Sequence, residues 1–528
     1  MAHSSRESHR SWSYPVLIAT IVCFGVVLRV VLALWTDGFN VDEYRPLRGV
    51  GLSLSRYLMD HRNSNGKLHF FFPELLHYWI SFRIFGGSLT GFRIAALLSS
   101  VMVLPVSALC LWRLWPDRRL LTVVTLMLLA GNAALIWFSS YAMIVYGESA
   151  LLSAMLFFLF VRVARGPLPT RRWVPISLLL VPFALFAHFI MIVPLGVGAA
   201  LVIVTRAANA GGAGKVSAGL RAARELLWLL PIPVVQGLIW LFEPWNTGAG
   251  RRPDTAAYFF RTSGYSESIG GILGFVAKRS SELPGQLLGL AHPSSAVALL
   301  ATLLALVAAV VTLRRKPLAP DAFPVLYSLV LLLLMAALSL IDLYPYGSRR
   351  YMFFAIPSLA FMAANGAEIM AGPAWAFVKH AVPTWHVAEW IQTALIVLIV
   401  ITGGVYVVHR GQVGAEQRRE NYATIRAVAA AMPRLVLVVQ PGIDAAILRW
   451  APGTLKPNQT ATVLPGADLD ASTTKALSNL KSGDEILVIG GSGASAAYPQ
   501  LFGTLSRYSH LLRQETAPNI WLRLYTRT

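Results

Sequence analysis

Trp35–Arg48 reads WTDGFNVDEYRPLR and places Asp37, Asp42 and Glu43 within seven residues, directly after a first apolar run. In a chain with only 25 acidic residues among 528, such a cluster at the end of an apolar run marks a membrane face where chemistry can happen. Apolar residues make up 56% of the chain, charged residues 13%, and mean hydropathy is +0.59. A soluble protein carries roughly twice that charged fraction. Many runs reach the ~17–25 residues that cross a bilayer, so the chain reads as a polytopic α-helical membrane protein.

The net charge of +20 calls for no nucleic acid. Its basic residues cluster in short segments between apolar runs, the pattern of cytoplasmic loops beside anionic lipid, and no basic-aromatic nucleic-acid module appears. Cys23 and Cys110 both lie in apolar runs and suggest neither a disulfide nor a metal site. The polar, basic N-terminus precedes a run too long for a signal-peptide core, which reads as a retained first helix.

Spans are expected at about 14–34, 91–112, 120–138 and 148–163. Two short ones follow within Trp173–Arg206, meeting near His188, and further spans at about 226–242, 296–313, 323–341, up to 371, and 391–408. Eleven spans put the N-terminus inside and the C-terminus outside. Asp42 can cap a short interfacial helix through Glu43–Met59, and Phe70–Phe85 (FFFPELLHYWISFRIF) reads as a second interfacial segment. Arg206–Arg224 reads as a basic inside loop and Glu243–Pro293 as a long external one. Beyond Arg410 the composition shifts. Helices at Tyr422–Met432, Ala445–Trp450 and Gln500–Gln514 would alternate with strands at Leu435–Val439, Glu485–Ile489 and Asn519–Tyr525. Residues 1–409 then form a membrane domain, and 410–528 a small extracytoplasmic α/β domain.

Asp42 could serve as a general base on an acceptor hydroxyl or hold a cation, although capping a helix is a role it would fill anyway. The turn Asp342–Tyr351 (DLYPYGSRRY) sets Arg349 and Arg350 at the mouth of a span, suited to gripping a phosphate with paired hydrogen bonds. Snorkelling would also place arginines there. Glu74 and His77 share one helical face and could, with Asp42, hold a divalent cation, while interfacial polar contacts explain them better; His69 stands near them. His188 is a turn contact or a substrate ligand. Glu148 is a helix-start acid or lines a cavity. The Gly490–Ser495 run lacks both GxGxxG and Walker A spacing and reads as a turn.

VDEY (Val41–Tyr44) after the first span, FFFPELLHYW, and the alternation of apolar and basic segments over about 14–410 resemble the GT-C glycosyltransferases. The closer resemblance is to family 39, the protein-O-mannosyltransferase-like branch with bacterial transferases that modify lipid A with aminoarabinose or galacturonic acid. AHF around His188 resembles a turn common in that family, and YPYGSR (Tyr344–Arg349) a YPFGxR motif of a bacterial subgroup that also ends in a small α/β tail. The resemblance implies a GT-C fold, a polyprenyl-phosphate-sugar donor, a lipid or glycan acceptor, an inverting displacement, and a site at the outer face of the inner membrane. It implies Asp42 as the catalytic carboxylate with Glu43 as partner, and Arg349, Arg350 and Tyr346 at the donor phosphate. Substrate contacts would come from His188, Asp37, His69 and Glu148. No redox or organic cofactor is implied, and a divalent cation is an option. Phe71 and Phe72 depart from the HPPLYY-like pattern. FSSYAMIVYGES lacks the charged residue common after its Tyr-Ser start, a place Glu148 could fill. The rival reading, a lipid or glycan transporter, would show paired repeats and charges deep within spans.

Overall fold

A computed structural model describes residues 13–35, 53–58, 72–85, 89–140, 144–186, 189–211, 214–242, 268–288, 296–340, 352–381, 435–439, 460–464, 469–491, 499–517 and 520–528. They divide into two compact units: one holds Ser13–Ala33 and the helices between 53 and 381, the other the sheet from Leu435 onward.

The first unit is all helix. In chain order come α1 (Ser13–Trp35), α2 (Phe72–Phe85), α3 (Leu89–Leu114), α4 (Arg119–Ala130), α5 (Ala133–Ser140), α6 (Ile144–Arg165) and α7 (Thr170–Phe186). They continue with α8 (Ile192–Asn209), α9 (Lys215–Leu226), α10 (Pro231–Phe242), α11 (Ile269–Leu288), α12 (Ala296–Arg314), α13 (Phe323–Leu340) and α14 (Ile356–Ala381). Among the described residues six helices are long and apolar enough to cross a bilayer, within α1, α3, α6, α8, α13 and Phe353–Ala371; α4 and Leu299–Arg314 are shorter apolar helices. The chain is a multi-pass membrane protein. Helix α6 is the central element. Ala150, Leu152, Ala154, Leu156, Phe157, Phe160 and Val161 are all fully buried, so neighbours cover it on every side.

Several expected boundaries change. The span expected at 120–138 splits into α4 and α5. Gly131 ends α4, its N–H reaching the Met127 carbonyl while the Asn132 N–H reaches that of Leu129, and Asn132 opens α5 by accepting the Leu135 N–H at 3.0 Å. Asn132 also donates to the Leu287 carbonyl at 2.6 Å, which ties the break to α11. Arg206–Arg224, read as a loop, contains most of α9, because its alanines favour helix and its apolar side is visible only at helical spacing. The loop read over Glu243–Pro293 carries the twenty-residue α11. The connector beyond 381 and the span expected at 391–408 lie outside the described residues, as does the helix at Glu43–Met59 apart from a helical turn at 54–58.

Close helix contacts depend on small residues. A Cβ on Gly366 would stand 1.8 Å from the Leu304 carbonyl oxygen, so α12 and α14 meet backbone to backbone. At Gly147 a Cβ would stand 2.9 Å from the Ala96 carbonyl oxygen, which locks the start of α6 against α3.

The second unit is a five-stranded sheet with β1 (Leu435–Val439), β2 (Thr460–Leu464), β3 (Glu485–Gly491), β4 (Ser509–Ala517) and β5 (Ile520–Arg527), in the order β2-β1-β3-β5-β4. β1 pairs in parallel with β2 and β3, while β5 runs antiparallel to β3 and β4. α15 (Leu469–Leu477) links β2 to β3, and α16 (Pro499–Tyr508) precedes β4. The helix expected over Gln500–Gln514 stops at Tyr508. Its remaining residues join β4, whose irregular register between Leu511 and Arg513 hides the alternation of a strand. The helices expected at Tyr422–Met432 and Ala445–Trp450 lie outside the described residues.

The Gly366 contact predicts that Gly366→Ala lowers the melting temperature in detergent by several degrees, since overpacking a close contact costs about 1–3 kcal/mol. Gly237→Ala, where nothing lies within 4 Å of an added Cβ, should leave it unchanged. Equal melting temperatures for the two variants would show that α12 and α14 do not meet this way.

Candidate active site

Helix α6 carries chemistry at both ends. Arg162 and Arg165 stand in its last turn. Glu148 lies seventeen residues before Arg165, or about 25 Å along the axis at 1.5 Å per residue.

The Arg165 end is tied by charge. Arg165 donates to the Leu114 carbonyl at 2.5 Å, pairs with Asp321 at 3.3 Å and lies over the Trp115 ring. Arg118 holds Glu368 and donates to Asn365 at 2.5 Å. Arg206 pairs with Glu225 at 2.9 Å, and Asn209 donates to the Leu318 carbonyl at 2.6 Å. Each of these contacts ties a helix end or interhelical segment to another helix or segment on that face.

The Glu148 end is different. Glu148 is 5% exposed, and its Oε1 lies 3.1 Å from His77 Nδ1, projecting from α2. Its other oxygen, Oε2, is buried and has no hydrogen-bond partner among the described residues. A buried carboxylate oxygen without a donor is costly. Arg93, 3% exposed in the first turns of α3, belongs to the same end. Tyr146 meets Phe353 edge-on with ring centres 5.0 Å apart, and Ser153 donates to the Phe354 carbonyl. The segment that leads out of DLYPYGSRRY therefore packs against the first turns of α6.

Of the residues singled out in the sequence, the structure brings together His77 and Glu148, which lie 71 positions apart. Glu74 shares α2 with His77. Asp37, Asp42, Glu43, His69, His188, Tyr346, Arg349 and Arg350 lie outside the described residues. Among the described residues no three of His, Cys, Asp and Glu converge as a cation site. The pairing of Arg118 with Glu368, and the burial of Arg29 in α1, were not visible in the sequence. A charged residue inside an apolar run was the only signal, and it names no partner.

No protein-family model matches the chain, and no curated protein matches it in sequence. Solved structures do match. ArnT from Cupriavidus metallidurans in the apo state aligns with a TM-score of 0.53 at 14% identity, covering 96% of this chain and 98% of that one. The same ArnT bound to undecaprenyl phosphate aligns at 0.42 and 15%, over 96% and 97%. The Archaeoglobus fulgidus oligosaccharyltransferase in complex with Zn and sulfate aligns at 0.46 and 14%, over 95% of this chain and 72% of that one. Taken from the first alignment alone, the likeness is one of fold: the chain has the GT-C fold of ArnT, with a small C-terminal sheet.

The His77–Glu148 contact predicts energetic coupling. In a double-mutant cycle of His77→Phe and Glu148→Gln, unfolded from mixed micelles, the two changes should be non-additive by roughly 0.5–3 kcal/mol. Additive effects would mean that the pair does not form.

Proposed function

We propose that the chain is a glycosyltransferase that moves a sugar from a polyprenyl-phosphate carrier to a lipid, cell-envelope glycan or protein acceptor. The reaction takes place at the outer face of the inner membrane. The observation that carries this reading is the half-used carboxylate of Glu148, buried at the end of the central helix of a GT-C fold, opposite the arginine-tied end.

Three lines support it. ArnT, whose fold the chain shares, has been crystallised with undecaprenyl phosphate. Arg350 precedes Phe353 by three residues, at most about 11 Å of chain, and Phe353 packs on Tyr146 two positions from Glu148. Arginine-rich segments gather at the far end of α6, which by the positive-inside rule faces the cytoplasm and leaves the Glu148 end outward.

The chemistry is a single displacement. The Asp42 carboxylate takes the proton of the acceptor hydroxyl, whose oxygen attacks the anomeric carbon as the bond from that carbon to the phosphate oxygen breaks. Configuration inverts, and polyprenyl phosphate leaves with the electron pair. Arg349 and Arg350, with Tyr346 beside them, meet the charge that grows on the leaving phosphate. Glu43 orients Asp42. Glu148 Oε2 accepts a hydrogen bond from a substrate hydroxyl, with His77 holding Oε1 so that the carboxylate cannot turn away. Asp37, His69 and His188 complete the substrate contacts, and a divalent cation near Glu74 and His77 is an option consistent with their shared helix.

Transfer of radiolabelled sugar from polyprenyl-phosphate-sugars into an envelope extract tests this. Asp42→Asn should lose about 10²–10⁴-fold in rate with donor binding retained. Glu148→Gln should lose roughly 10–100-fold, the worth of a hydrogen bond to a charged group. No transfer by well-folded wild type from any donor, or full activity of Asp42→Asn, would reject the assignment.

A further inference from the structure

Helix α9 has three distinct faces. At 3.6 residues per turn, Ala218, Gly219, Ala222 and Leu226 share one side, and all four are buried. The Cβ position of Gly219 looks onto Ala207 and Ile203 at 3.6 and 3.7 Å, so this side packs on α8. About a third of a turn away, Val216 and Leu220 are exposed by 73% and 66%, and Leu227 continues their stripe at 59%. The remaining side carries Ser217, Arg221 and Arg224, all exposed, with Lys215 exposed at the start of the helix.

Its position is set by two contacts of Glu225. That carboxylate accepts from Arg206 at 2.9 Å and from the Leu168 N–H at 3.4 Å, which fixes α9 at the arginine-tied end. Ser177 of α7 donates to the Trp228 carbonyl at 2.6 Å, bringing the exposed Arg171 and Arg172 at the start of α7 to the same neighbourhood. Lys215, Arg221, Arg224, Arg171 and Arg172 have no acidic partner among the described residues, and Glu225 is already engaged. With four charges in twelve residues α9 is too polar to cross a bilayer, yet its exposed apolar stripe, with Trp228 and Leu230 beyond it, is costly to leave in water.

We infer that α9 lies in the plane of the membrane and docks on an anionic phospholipid leaflet at the arginine-tied end. Its Val216–Leu220–Leu227 stripe enters the boundary between headgroups and acyl chains, and Lys215, Arg221 and Arg224 hold the phosphates. Charge complementarity selects this occupant: a stripe bordered by unpaired cations fits an acidic lipid surface and repels a basic partner. The Trp228 ring suits the same depth.

Hydrogen exchange over 211–230 in the full-length protein tests this. Nanodiscs of phosphatidylcholine alone are compared with discs holding roughly one-third phosphatidylglycerol. Exchange in α9 should slow with phosphatidylglycerol by at least roughly fivefold, the effect of about one basic residue at an anionic surface. The slowing should vanish in the triple variant Lys215→Gln, Arg221→Gln, Arg224→Gln with its melting temperature unchanged. For wild type it should also shrink at about 1 M salt, where screening acts within ~3 Å. The salt series decides the matter even where the triple variant does not fold. Equal exchange in both discs, slowing that survives high salt, or slowing that appears only on adding a soluble protein extract would overturn the inference.

Discussion

Hydrocarbon offers no water to satisfy a polar group, and Arg29 shows how this protein meets that constraint. Its guanidinium is fully buried in α1 and donates to the carbonyls of Gly25, Leu129 and Ala130 at 2.9, 2.8 and 3.0 Å, with Ser100 Oγ at 3.4 Å. Leu129 and Ala130 are the last residues of α4, whose carbonyls have no partner within the helix. Arg29 adds donors to these carbonyls at the break, where Leu129 otherwise has only the Asn132 N–H at 3.4 Å. Ser100 passes the tie onward, donating to the Leu135 carbonyl at 3.2 Å in α5. Gly147 packs on the Ala96–Ser100 turn of α3, so the first residues of α6 are set by the same cluster. The position of Glu148 thus depends on the contacts of Arg29.

The two ends of the helical unit solve the charge problem in opposite ways. At the Arg165 end nearly every buried or half-buried charge has a partner: Arg118 with Glu368, Arg165 with Asp321, Arg206 with Glu225. Such pairs join segments and leave little surface for a ligand. At the other end one oxygen of Glu148 lies 3.1 Å from His77 Nδ1 and the second has no hydrogen-bond partner among the described residues. A carboxylate in that state inside a membrane protein is what the proposed substrate contact rests on. Placing the group on the most buried of the described spans also fixes it in space, which the proposed contact to a sugar hydroxyl would require.

The sequence was most legible where one physical rule dominates. Long apolar runs at Ser13–Trp35, Leu89–Leu114 and Phe323–Leu340 gave spans within a few residues of the observed helices. It was less legible where two rules compete. Gly131–Asn132 lies within an apolar run whose mean hydropathy conceals the break, although Gly followed by Asn is a helix-stop and helix-start pair. The β4 residues His510–Thr516 have good helix formers, yet pairing with β5 overrides that preference. In the site, Glu148 and His77 were each noticed, but as separate polar residues. Nothing local links two residues on different helices, and His77 was grouped with Glu74 because they share a helix. The acid cluster at Asp37–Glu43 and the arginines at Arg349 and Arg350 lie outside the described residues, and their roles rest on the sequence.

The measurement that bears most directly on the central claim is a structure of the full chain with a non-hydrolysable polyprenyl-phosphate-sugar analogue. The account predicts the sugar at the Glu148 end, with a hydroxyl within hydrogen-bond distance of Glu148 Oε2 and the His77 contact to Oε1 kept. An analogue bound only at the arginine-tied end, or a Glu148 Oε2 that turns to a protein donor while the sugar lies elsewhere, would contradict it.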